Sequence, residues 1–273
     1  MAGPIGVFDS GYGGLTVLKE IVKVLPEYDY LYLGDNARAP YGTRSFNAVY
    51  EYTLSSVKAL FDRGCSLVIL ACNTASAKAL RSIQQNDLPN IAPNKRVLGV
   101  IRPTSEMVGK LSKTKHIGVL GTSGTVASQS YPIEINKFFP DVMVFQEACP
   151  MWVPLVENNE FNSDGADFFI KKNIQHLMQQ SNSIDTIVLG CTHYPLLIPK
   201  IKKFIDPSVK LVSQGEIVAK SLDNYLIRHP EIEMLCNKNG KRDFLTTDLS
   251  GAFDSSASLF YGEKILSEYI HLS

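Results

Sequence analysis

The sequence predicts an α/β fold made of two similar halves, each a mostly parallel sheet covered by helices. Three observations carry this. Short apolar runs of strand length alternate with longer stretches of helical period, as parallel sheets with helical crossovers require. The pattern then restarts: Ile5-Gly6-Val7-Phe8 is answered by Ile117-Gly118-Val119-Leu120, 112 positions on, and Asp35 by Glu147 at the same offset. Finally, Ile69-Leu70-Ala71-Cys72 is answered by Val188-Leu189-Gly190-Cys191, 119 positions on. Parallel strands are generally rich in Val, Ile and Leu, so matching apolar runs mean little alone. The matched cysteines are what that explanation leaves over.

Taken in order, residues 5–8 read as a strand and 15–25 as the helix after it, stopped near Pro26; 30–33 is the next strand. Residues 46–63 are helical and end at Gly64, a residue suited to the position after a helix. A buried strand at 67–70 precedes a helix at 75–85, and 97–101 begins a strand before Pro103. The second round has strands at 117–120, 142–145 and 186–189, with a helix at 164–180. A helix at 195–204 and a strand at 210–212 follow. Residues 217–228 read as helix, 231–242 as a polar loop, 243–247 as a strand and 257–270 as a closing helix.

Composition narrows the function classes. Of 273 residues, 45% are hydrophobic and 20% charged, an ordinary globular balance. Lys plus Arg (27) equals Asp plus Glu (27), so no basic excess favours nucleic acid or a membrane surface. The first ten residues carry no Lys or Arg, and apolar runs such as 67–72 are too short to span a bilayer. The expectation is a cytoplasmic chain. Five cysteines (65, 72, 149, 191, 236) form an odd set with no C-x-x-C pair, which argues against a disulfide framework or a ribbon-type zinc site. Reduced thiols are expected.

Two of those thiols stand out. Cys72, in Ala71-Cys72-Asn73-Thr74-Ala75-Ser76, and Cys191, in Gly190-Cys191-Thr192-His193-Tyr194-Pro195, both sit at strand-to-helix turns. Ligands of open parallel sheets bind beyond the carboxyl ends of the strands, where Asp9, Asp35 and Thr122 also fall. A helix N-terminus favours a thiolate, and a free thiol of pKa about 8.5 needs only a modest shift to work near neutrality. A single such cysteine reads better as a small buried residue. Two at matching strand ends suit the inversion of a proton-bearing carbon in a small acidic substrate. One group removes the proton from one face and the other returns it to the opposite face. The remaining cysteines lack this context and are expected to be inert.

The loop Asp9-Ser10-Gly11-Tyr12-Gly13-Gly14 fails the G-x-G-x-x-G fingerprint, since Thr16 stands at the sixth position. It reads instead as a tight turn presenting Asp9 and Ser10, with amides free for an anion, or with Asp9 as a plain N-cap. His193 is placed to bond a thiol or a substrate carboxylate. A zinc site needs further ligands at metal spacing, and a cysteine protease leaves the second cysteine without a role. Pro40-Tyr41-Gly42 and Thr122-Ser123-Gly124-Thr125 add hydroxyls and amides of the kind any loop carries.

Together, the runs Gly6-Val7-Phe8-Asp9-Ser10-Gly11, Gly34-Asp35, Pro40-Tyr41-Gly42, Ala71-Cys72-Asn73-Thr74-Ala75-Ser76 and Gly190-Cys191-Thr192-His193-Tyr194-Pro195-Leu196 resemble those of bacterial glutamate racemases, in the aspartate/glutamate racemase family. They do so in order and over nearly the whole chain. The resemblance implies an isomerase without a cofactor that interconverts L- and D-glutamate, the D-isomer serving peptidoglycan and hence cell-wall biogenesis and cell shape. It implies Cys72 and Cys191 as proton donors and acceptors, Asp9 supporting the first thiol, His193 the second, and Glu157 placed near the second. Asp9, Ser10, Tyr41, Gly42, Asn73, Thr74, Thr192 and His193 match the substrate-binding motifs, and Thr122 and Thr125 are expected to touch the ligand.

It further implies two α/β domains related by a pseudo-twofold, with the site in the cleft between them: residues 1–97 with 208–273, and residues 98–207. A homodimer is the implied assembly. An aspartate or hydantoin racemase is the near alternative, and a non-catalytic nucleotide-binding module the distant one. The chain departs from the family pattern at Arg102 and Thr104, where many relatives carry an acidic residue and Pro-Gly, at the expected hinge.

Overall fold

Apolar runs that end in Asp9, Gly34 and Leu70 are buried along their whole length, as strands covered on both faces must be. A computed structural model describes residues 2–272. The first half holds β1 (Ile5–Asp9), α1 (Leu15–Val24), β2 (Tyr30–Gly34), α2 (Phe46–Asp62), β3 (Leu67–Leu70), α3 (Asn73–Lys78) and β4 (Arg96–Gly99). The second holds α4 (Ile101–Leu111), β5 (His116–Gly121), α5 (Ser123–Ala127), α6 (Ser130–Phe138), β6 (Met143–Ala148), α7 (Trp152–Glu157), α8 (Asp164–Gln180), β7 (Thr186–Gly190) and β8 (Lys210–Val212). The chain then returns through α9 (Gly215–Arg228), β9 (Arg242–Thr246), α10 (Ser250–Tyr261) and β10 (Ser267–Tyr269).

The described strands form two parallel sheets, β10-β9-β2-β1-β3-β4 and β6-β5-β7-β8. Within them β2-β1-β3-β4 and β6-β5-β7-β8 have the same order, so the repeat seen in the sequence is a repeat of topology. Register agrees as well. Val7 lies between Tyr32 and Ile69, and its counterpart Val119 between Gln146 and Val188. Cys72 and Cys191 therefore leave equivalent strands, β3 and β7.

Several expectations are corrected. The closing helix over 257–270 is α10, begun at Ser250 and stopped at Gly262, whose φ of 90° reverses the chain; an edge strand, β10, follows and pairs with β9. The helix over 75–85 starts at Asn73, directly after Cys72, breaks at Ala79, and runs on in short helical pieces to Ile91. That over 195–204 is two short turns, because Pro199 has no N–H to continue a helix from Tyr194–Leu197. The strand at 97–101 ends at Gly99. The helices α4 and α6 are additions to the elements read from the sequence; Pro103 and Pro132 fall in their first turns, where a missing N–H costs little. Residues 210–212 pair with β7 in the second sheet, and Leu98 and Gly99 with β3 in the first. The chain thus passes from the first sheet to the second after Gly99 and leaves the second after Val212. Among the described residues no helix is long and apolar enough to cross a membrane.

Candidate active site

Beyond the carboxyl ends of β3 and β7 lies one cavity lined by both cysteines, with residues of both halves around it. Cys72 is the N-cap of α3. Its Sγ accepts from the Ala75 N–H at 3.5 Å and sits 3.5 Å from Ser10 Oγ. Burial pushes the Cys72 thiol up to about 12, and the negative charge of Asp9 adds to that; the Ser10 and Ala75 contacts pull the other way without prevailing. Cys72 therefore stands as a protonated thiol, not the thiolate that a helix N-terminus alone suggests.

The second thiol has different company. His193 Nδ1 is 3.8 Å from Cys191 Sγ, and His193 Nε2 is 3.0 Å from Glu157 Oε1. Burial by itself would lower the imidazole pKa, but hydrogen bonds to Cys191 and Glu157 outweigh it and raise it to about 10. His193 is then an imidazolium at neutral pH, a positive charge 3.8 Å from the Cys191 sulfur. The ring of Phe260 on α10 packs edge-on against the imidazole and covers it.

Asp9 ends β1 fully buried. Its Oδ2 accepts from the Gly11 N–H at 3.0 Å, while Oδ1 has no partner. Burial raises its pKa, opposed by the charge of His193 and by backbone amides. The glycine loop thus directs an amide to Asp9 itself. Its glycines serve close packing: a Cβ on Gly13 would collide with Thr192 Oγ1 and lie 2.5 Å from His193 Nδ1. The second half fills the space that a dinucleotide loop would need. Asp9 makes no hydrogen bond to Cys72 and acts on it through charge.

Residues 5–222 match the family model described as Asp/Glu/Hydantoin racemase. A glutamate racemase of Geobacter metallireducens is 38% identical over 262 residues, 96% of this chain and 93% of its own. Among solved structures, glutamate racemase RacE1 of Bacillus anthracis superposes with a TM-score of 0.89 at 33% identity, covering 99% of this chain and 98% of that one. The Francisella tularensis glutamate racemase, solved with D-glutamate, gives 0.88 at 32% identity over 99% and 98%. This chain belongs to the Asp/Glu/hydantoin racemase family. It is an amino-acid racemase, an isomerase.

In this racemase, Ser10, Tyr41, Gly42, Asn73, Thr74, Thr122, Glu157, Thr192 and His193 line the cavity with the two thiols. Thr74 Oγ1 and Thr122 Oγ1, from opposite halves, are 2.9 Å apart, and Thr122 Oγ1 donates to Thr125 Oγ1 at 3.1 Å. Thr125 is buried behind Thr122 and does not line the cavity. The Tyr41 hydroxyl donates to Asp35 Oδ2, which Arg38 also holds at 2.7 Å. Asp35 itself is fully buried under that contact.

Sequence reasoning missed Cys149, Pro150, Val153 and Pro154, which also line the cavity. The thiol of Cys149 is held protonated, its pKa driven far up by burial, so it borders the site without being a base near neutrality. The approach of 148–154 to the cavity has no local pattern; Pro150 and Pro154 are its only punctuation. All five cysteines are free.

Proposed function

We propose that this racemase interconverts L- and D-glutamate without a cofactor, using Cys72 and Cys191 as the two proton-transferring groups. One observation carries the reading: thiols from equivalent strand ends of two repeated halves border a single cavity, one protonated and one beside an imidazolium. The α-carboxylate and ammonium are held by Ser10, Asn73, Thr74 and Thr192, and the side-chain carboxylate toward Tyr41 and Gly42. His193 stands beside Cys191, so in one direction Cys191 is the base and Cys72, held protonated by burial, its partner acid. The Cys191 thiolate takes the α-proton of one enantiomer, its electron pair forming the S–H bond while the C–H pair stays on carbon. That carbanion has no electron sink, so hydrogen-bond donors on the α-carboxylate and exclusion of water carry its stabilisation. Cys72 then protonates the opposite face and becomes the thiolate. The reverse reaction starts from that state.

Glutamate is preferred over aspartate because the relative solved with D-glutamate matches this chain from end to end. The product would feed the peptidoglycan precursors of a bacterial cytoplasm, and the enzyme would work as a homodimer. Deuterium exchange at the α-carbon in D₂O, followed by chiral chromatography, tests substrate and chemistry together. Each glutamate enantiomer should gain one solvent deuterium as it inverts. Inversion that retained the substrate's own proton, or a faster reaction with aspartate, would sink the proposal.

A further inference from the structure

Asn73 follows Cys72 in the first turn of α3, and both ends of its side-chain amide are engaged. Its Nδ2 donates to Gln214 Oε1 at 2.6 Å, and its Oδ1 accepts from the Tyr131 hydroxyl at 2.8 Å. Gln214 Nε2 closes the circuit by donating to the Tyr131 oxygen at 2.8 Å. The same nitrogen also faces Thr104 Oγ1 at 3.0 Å and the carbonyl of Val100 at 3.1 Å. Every member is buried, Gln214 at 4% and Tyr131 at 0% exposure.

This ring of hydrogen bonds has a fixed sense. The Val100 carbonyl can only accept, so the nitrogen of Gln214 must face it and the oxygen must face Asn73. That oxygen can only accept, so Asn73 turns its nitrogen to Gln214 and its own oxygen to Tyr131. One Nδ2–H of Asn73 is left uncommitted, on a residue that lines the cavity. Were the amide reversed, a carbonyl oxygen would meet the carboxylate of an acidic substrate and repel it.

The circuit also sits where the halves join. Val100 lies at the first crossing between the sheets and Gln214 at the second, Tyr131 belongs to α6 of the second half and Asn73 to α3 of the first. We propose that Gln214 is a positioning residue that sets the Asn73 amide to present an N–H donor to the substrate carboxylate and ties that orientation to both crossings of the chain. This rests on the reading of the cavity as a glutamate site. Gln214 touches no reacting atom; it acts through Asn73.

Steady-state kinetics of Gln214→Leu, Asn73→Ala, their double variant and Tyr131→Phe test it in both directions. Gln214→Leu should raise KM about tenfold for both enantiomers with kcat changed much less, the loss expected for one hydrogen bond to a charged group. The double variant should be no worse than the poorer single one, because both remove the same contact. Tyr131→Phe deletes one hydroxyl and keeps the packed ring, so it should fold and show a smaller rise in KM. A merely structural role would lower thermal stability and the active fraction without moving KM. Unchanged KM in Tyr131→Phe and Gln214→Leu, or fully additive losses in the double variant, would overturn the proposal. Wild-type α-proton exchange on glutamate is the control: its absence sinks the glutamate reading, whereas its presence with additive losses sinks the positioning role alone.

Discussion

The carboxyl ends of β3 and β7 are the same place in two copies of one topology, yet they hold their cysteines in opposite ways. At β3 the thiol caps a helix, accepts from Ala75, and has the buried Asp9 for a neighbour, so burial and negative charge keep its proton on, with a pKa of about 12. At β7 the cysteine caps no helix, a 3₁₀ turn beginning only at Tyr194; His193 turns back toward the sulfur and is itself held by Glu157. A repeat that supplies two identical groups has diverged only in what surrounds them. The lesson is that symmetry of position can coexist with asymmetry of surroundings, and the proposed two-base proton transfer uses both.

The comparison breaks most completely if either sulfur is removed. Cys72→Ala and Cys191→Ala should each lower racemisation by at least about 10³-fold, in the upper range for loss of a positioned acid or base. Near wild-type turnover by either variant in a chiral assay would mean that the two ends are not partners.

A smaller effect sharpens the difference between them. His193→Asn should cost about 10²-fold, and Glu157→Gln about tenfold, in the direction that begins with Cys191 as base. Equal losses in both directions would erase the asymmetry. The same imidazole couples to stability. Its pKa is raised from 6.5 to about 10, so the folded state keeps a proton that the unfolded state releases. That stabilisation is complete below about pH 6.5 and is lost as pH climbs toward 10. Wild-type Tm should therefore fall more steeply across that window than the Tm of His193→Asn; parallel curves would contradict the assignment. The thiol of Cys72, raised from 9.0 to about 12, adds a further decline in the same sense above pH 9.

The mildest test concerns how closely the ends approach. Gly13→Ala places a methyl against Thr192 and His193 and should cost about 1–3 kcal/mol, the usual penalty for overpacking, with a raised KM in both directions. A wild-type Tm and KM would show that the halves are not in fixed contact there.

Much of this was legible before any coordinates. The offset of the apolar runs disclosed the repeat, and the matched cysteines pointed to one site, because strand period and topology are local properties that sequence carries directly. The helices α4 and α6 were not legible in this way, since whether a proline such as Pro103 or Pro132 breaks or begins a helix depends on its position within the turn. Cys149 and Pro150 were missed because no local signal marks a loop that becomes a cavity wall only when helices pack around it.

The sequence by itself determined the class of fold, the matched strand-end positions of Cys72 and Cys191, and the family, since each rests on which residues occur and at what spacing. Tertiary structure alone decided what surrounds those thiols. Protonation depends on burial and on neighbours such as Asp9 and Glu157, which stand 63 and 34 positions away from the cysteines they serve. It alone also showed that the last helix ends at Gly262 and that Gln214, 141 residues beyond Asn73, holds its amide. Electrostatic energy falls off with distance in space, and spacing along the chain does not report that distance.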